Sequence, residues 1–88
     1  MLVNFERSFL KDIKKLDDKN IAKKLKQVLE LFEINEDLTN ISNIKKLKGH
    51  HSYYRIKIGN YRLGFSYEND NIDIIRFLHR KDIYKLFP

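Results

Sequence analysis

The chain has 88 residues, 42% hydrophobic and 34% charged, enough for one small core, too apolar for a disordered chain and too interrupted by charge for a membrane span. No cysteine is present and only three histidines are, which excludes a disulfide framework, a thiolate nucleophile and a cysteine-ligated zinc, so packing must hold the fold and no cofactor is expected. The formal charge of +6 is segregated: residues 1–44 carry eight basic and eight acidic side chains, residues 45–88 ten basic against four acidic, a pattern that favours a polyanionic partner. One domain over residues 1–88 is expected, and without a signal-like amino terminus the expected location is the cytoplasm, with no membrane partner.

Leu2 to Phe5 suits a short strand. Phe5, Phe9, Ile13 and Leu16 recur at helical spacing with Lys11, Lys14 and Lys15 between them, which predicts a first amphipathic helix. Asp17, Asp18 and Asn20 are turn and cap formers, and Ile21, Leu25, Val28, Leu29 and Phe32 then define a second helix. The short connection implies an antiparallel helical hairpin whose two apolar stripes must be buried against another layer. Residues 35–44 read as a polar connection, and no internal repeat or low-complexity tract is present.

The period then changes to two. Tyr53–Ile58 and Tyr61–Tyr67 flank Gly59-Asn60, a two-residue hairpin signal. Such a loop sets Ile58 opposite Tyr61, Lys57 opposite Arg62, Ile56 opposite Leu63 and Arg55 opposite Gly64. One face becomes apolar or aromatic, with Tyr54, Ile56, Ile58, Tyr61, Leu63 and Phe65, and is the natural partner of the helical stripes. The other carries Tyr53, Arg55, Lys57, Arg62, Gly64 and Ser66. Two cations set directly across a ladder destabilise it by a few tenths up to roughly 1 kcal/mol, so Lys57 facing Arg62 reads either as long side chains splayed into screening solvent or, with Arg55 diagonally adjacent so that three cations converge, as a phosphate site. Gly64 leaves a gap there for a backbone or a ligand, and Tyr53 either extends the patch as a base-stacking platform or serves sheet packing.

After a turn at Glu68 to Asn71, Ile72–Leu78 closes a three-stranded antiparallel meander. The same count places Arg76 on the apolar face, which requires an extra turn residue, a bulge, or partial cover on both faces. His79, Arg80, Lys81, Asp82, Ile83 and Tyr84 then leave the sheet for a short helix. His79 and Arg80, one strand from the cationic face, are candidates for proton transfer and charge stabilisation in a phosphodiester reaction.

The order strand, two helices, meander and basic tail, with Leu47-Lys48-Gly49, Tyr54-Arg55-Ile56-Lys57-Ile58-Gly59-Asn60-Tyr61-Arg62 and His79-Arg80-Lys81-Asp82-Ile83-Tyr84, resembles the RelE/ParE superfamily of toxins over essentially the whole chain. The resemblance implies an α+β fold (β-α-α-β-β-β) with the helical hairpin packed on the meander. It also implies a toxin neutralised by a cognate antitoxin and, for the RelE branch, cleavage of mRNA in the ribosomal decoding site without a metal. Matched motif to motif, Arg55 and Lys57 take the places of the strand cations, Arg62 of the post-turn arginine and Tyr84 of the tyrosine, with Arg80 or His79 assisting the leaving group. Lys48 and Tyr53 join the RNA-binding set. Lys57, set between Arg55 and Arg62, is the candidate base. Two alternatives accompany this reading: a ParE-like inhibitor of DNA gyrase, and a catalytically inactive homologue acting only in an antitoxin complex.

Overall fold

The computed structural model describes all 88 residues. They form β1 (Leu2–Phe5), α1 (Arg7–Lys14), α2 (Lys19–Ile34), β2 (Ile44–Lys46), β3 (Tyr53–Ile58), β4 (Tyr61–Glu68), β5 (Asn71–His79) and α3 (Arg80–Leu86). The strands make one sheet in the order β1-β5-β4-β3-β2, antiparallel except for β1, which runs parallel to β5. The expected three-stranded meander is therefore widened by one strand at each edge. The carboxyl end of the polar connection turns into β2, whose three residues, two of them lysine, are too few to show a period.

Phe5, counted on the first helical stripe, belongs to β1; its ring stacks on Phe9 at 5.6 Å, so the stripe continues through side chains rather than through helix. Helix α2 starts where Asp18 caps it, with Oδ1 accepting from the N–H groups of Asn20 and Ile21 at 3.0 Å. Asp18→Ala should lower stability by about 1 kcal/mol, read as a shift of the urea midpoint at unchanged slope. In the connection that follows, the Thr39 N–H donates to Asp37 Oδ1 at 2.9 Å and holds that carboxyl below the usual carboxylate range.

The β3–β4 register is the one the Gly59-Asn60 turn demands, with Lys57 opposite Arg62 and Arg55 opposite Gly64. Ile56, Ile58, Leu63 and Phe65 are buried on one face and join Phe9, Ile21, Leu25 and Phe32 from the helices in a single core. The helices do not close on each other: Phe5, Phe9, Leu10, Ile13, Leu16, Ala22, Leu25 and Leu29 line an open apolar groove between them.

A bulge resolves the placement of Arg76. Asn69 and Asp70 form a two-residue turn at φ 50° and 66°, and pairing then steps from Phe65–Ile74 to Gly64–Arg76, skipping Ile75. The extra residue moves Arg76 off the core face and brings Phe77 onto it. Where β1 ends, α1 takes over the exposed edge of β5. Ser8 Oγ donates to the Ile75 carbonyl at 2.6 Å, and Asp12 accepts from the Phe77 N–H at 2.9 Å. At the carboxyl end His79 caps α3, its Nδ1 accepting from the Lys81 N–H at 3.2 Å, while Ile83 and Phe87 bury and pin the helix. No helix is long and apolar enough to cross a membrane.

Candidate functional site

The face of the sheet away from α1 and α2 holds an open pocket of about 270 Å³ lined by Asn43, Lys45, Arg55, Lys57, Arg62 and Tyr84. Three strands and α3 build it. The N–H of Lys57 points away from β4 and donates to the Asn43 carbonyl at 3.1 Å. Lys57 and Arg62 are thus a non-hydrogen-bonded pair, the kind whose side chains stand closest. Arg62 is oriented by its own turn: Nη1 donates to the Gly59 and Tyr61 carbonyls at 3.1 and 2.9 Å. Gly59 has φ +58°, the left-handed conformation that favours glycine, and a Cβ there would lie 2.9 Å from Ile21 Cδ1, so a larger residue would also have to displace the end of that side chain.

Arg55 is held differently. Its guanidinium carbon lies 4.5 Å from the ring centroid of Tyr84, which is 67% exposed and reaches the pocket from α3. Four cations line the site and no carboxylate does; the molecule's one ion pair, Asp12–Arg76, lies elsewhere. With no internal counter-ion, the cations present a concentrated positive field to solvent.

Of the residues singled out from the sequence, Arg55, Lys57, Arg62 and Tyr84 come together, and four others do not. Tyr53 packs on Phe87 and His50, with ring centroids 5.7 and 5.6 Å away. Lys48 sits in the β2–β3 loop with His50 and His51, beside Lys46 at the end of β2. His79 pairs with Tyr61 and meets its ring edge-on at 5.6 Å, on the side facing Asp12 and Arg76. Arg80 is exposed outside the lining, its backbone N–H bound to the Asn60 carbonyl at 2.8 Å. The expected gap at Gly64 is also closed: a Cβ there would meet the Phe87 ring at 2.7 Å, so glycine makes room for the chain's own aromatic anchor rather than for a ligand. Gly64→Ala should expel Phe87 and loosen α3 at a cost of about 1–3 kcal/mol, visible as early amide exchange of the α3 backbone.

Lys45 and Asn43 were missed. Lys45 pairs with Arg55, and Ile44 pairs with Ile56, so β2 repeats the inside-outside alternation of β3. That match between Ile44-Lys45 and Arg55-Ile56 was the available signal, though a two-residue pattern carries little weight until the strands are known to be neighbours.

Residues 3–84 match a family model described as the ParE toxin of a type II toxin–antitoxin system, parDE. Toxin RelE3 of Methanocaldococcus jannaschii is 43% identical over 89 residues, covering 100% of both chains. Among solved structures, the fold matches a chain of the RelB–RelE antitoxin–toxin complex from Methanococcus jannaschii with a TM-score of 0.84, 41% identity and coverage of 97% and 99% of the two chains. A chain of the YoeB–YefM complex from Staphylococcus aureus matches with a TM-score of 0.70 and 25% identity, covering 90% and 97%.

Proposed function

Because this chain belongs to the ParE toxin family of type II toxin–antitoxin systems and is RelE-like, we propose that it arrests translation in the cytoplasm by cleaving mRNA in the ribosomal decoding site, without a metal. The observation that carries the reading is the pocket of four cations and one tyrosine with no carboxylate among them. The ribose 2′-hydroxyl attacks its own phosphate, forming the O2′–P bond and a cyclic phosphate as the P–O5′ bond breaks. Lys57 accepts the 2′ proton, and Arg55 and Arg62 balance the negative charge that accumulates on phosphorus-bound oxygen. His79 and Arg80 lie outside the pocket, so the departing 5′-oxygen takes its proton from the Tyr84 hydroxyl, while the exposed Tyr84 ring orients a base. So sparse a set of acid–base groups works only on a message already aligned, which is the contribution of the ribosome.

The RelB and YefM partners of the similar structures extend by likeness to a cognate antitoxin here. The apolar groove between α1 and α2 suits such a chain, since a segment with an amphipathic helix would bury its lining. The deciding experiment adds purified protein to programmed ribosomes and maps the message ends. Internal ends supplied by the protein support the proposal. The ParE description of the family model favours one second reading, binding to DNA gyrase. Gyrase-dependent DNA breaks with intact message would select it, and loss of both activities with antitoxin binding retained would mark a catalytically inactive member.

A further inference from the structure

We propose that Lys45, presented by the edge strand β2, forms a second phosphate subsite that grips the linkage next to the one cleaved. The inference rests on the RNA-cleaving reading above and extends it to the length of substrate the site holds.

Charge balance is the first argument. A phosphodiester carries one negative charge and its pentacoordinate transition state two, whereas Lys45, Arg55, Lys57 and Arg62 bring four positive charges to one pocket with no carboxylate. A single phosphate leaves a surplus that a second would neutralise. The energetics of the sheet point the same way. Lys45 stands opposite Arg55 on the β2–β3 ladder just as Lys57 stands opposite Arg62 on β3–β4. Like charges placed directly across a ladder destabilise it, and here two adjacent ladders carry such pairs on one face with no internal counter-ion.

Placement supplies the direction. Lys45 lies on the pocket face because Ile44, its neighbour, packs on the core opposite Ile56, and alternation turns the next side chain outward. Asn43, left-handed at φ 66°, turns the chain into β2 and itself joins the lining. Lys45 and Arg62 then lie two strand spacings apart across the sheet and two residues apart along the strands, roughly 12 Å at the backbone. One extended polynucleotide crossing the strands from β4 to β2 would meet Arg62 and Lys57 at one phosphate and Lys45 at the next. Arg55, drawn toward Tyr84, lies between them.

The test uses a fluorescein-labelled RNA hexanucleotide, fully 2′-O-methylated so that it cannot be cut, with binding followed by anisotropy across a salt series. Lys45→Ala should weaken binding severalfold and reduce the slope of log K against log salt by about 0.7, the value for one phosphate contact on a single strand. Lys46→Ala, on the alternate side of β2, should leave both unchanged, and Lys45→Arg should restore them. Replacing single linkages by uncharged methylphosphonates should reveal two sensitive positions in the wild type and one in Lys45→Ala. On programmed ribosomes Lys45→Ala should raise KM with kcat little altered. Wild-type affinity and salt slope in Lys45→Ala, with binding weakened in Arg62→Ala, would overturn the subsite and leave the cleavage reading standing. The two-to-one methylphosphonate pattern with no cleavage on ribosomes would keep the subsite and reject the nuclease. Insensitivity of binding to both variants would reject both.

Discussion

Lys57→Ala and Arg62→Ala should each reduce message cleavage on programmed ribosomes by about 10²-fold or more, the usual cost of removing a general base or a preorganised charge-stabilising donor. The two side chains face each other across the β3–β4 ladder without a carboxylate between them, so each substitution also relieves a like-charge pair. Folding stability should stay the same or rise in Lys57→Ala, by a few tenths up to roughly 1 kcal/mol, and change little in Arg62→Ala, where the lost bonds to the Gly59 and Tyr61 carbonyls offset the relief. Activity thus falls without a loss of stability, which separates loss of chemistry from loss of fold. Lys57→Arg discriminates further: it keeps the positive charge and removes an amine able to hold a proton reversibly, so cleavage should stay low while message binding recovers. Arg62→Lys keeps the charge but loses the fork anchored on the Gly59 and Tyr61 carbonyls, and should be intermediate. Cleavage persisting at wild-type rate in both alanine variants would place the reacting centre elsewhere.

The largest expected effect on stability lies at the β5 edge of the sheet, where α1 docks. Asp12→Ala should destabilise the protein by about 3 kcal/mol, the lower part of the range for breaking a buried ion pair. One carboxylate makes three bonds: Arg76 Nε to Oδ2 at 2.8 Å, Arg76 Nη2 to Oδ1 at 2.9 Å and the Phe77 N–H to Oδ2 at 2.9 Å. Its removal strands a buried backbone donor and an arginine, and the Arg76 side chain, 23% exposed, regains part of its hydration, which holds the cost to the lower part of that range. Asp12→Asn, able to accept from one donor but uncharged, should lose less. The measurement is the urea midpoint of each variant, with a cycle through Arg76→Ala to isolate the pair. A loss under about 1 kcal/mol would mean that α1 is held to β5 by Phe9 and its apolar neighbours alone. Since a typical domain retains only about 5–15 kcal/mol, this pair is a principal tie between the first helix and the bulged strand.

The cation site was largely legible before any coordinates, because its geometry is local. Gly59-Asn60 leaves a two-residue loop, a two-residue loop admits one register, and strict alternation then sends Arg55, Lys57 and Arg62 to one face and Ile56, Ile58 and Leu63 to the other. The placements that differ from expectation lie where distant parts of the chain meet. Tyr53 reads as a stacking platform until Phe87 meets it edge-on, Gly64 reads as a gap until the same ring fills it, and His79 reads as a neighbour of the patch until its pairing with Tyr61 turns it toward the core face.

The sequence by itself determined the α+β class, the two amphipathic helices, the central hairpin with its faces, and the family to which the chain belongs, since each follows from periodicity or from motifs whose residues are close in sequence. Tertiary structure decided the rest: that β2 adds Lys45 to the pocket, that a bulge at Ile75 gives Arg76 to Asp12, and that Phe87 seats α3 so that Tyr84 covers Arg55. The reason is physical. A turn and an alternation constrain neighbours through backbone geometry, whereas an edge strand of three residues, a single extra residue in a ladder and a terminal ring on a glycine acquire their positions only from the surfaces they pack against.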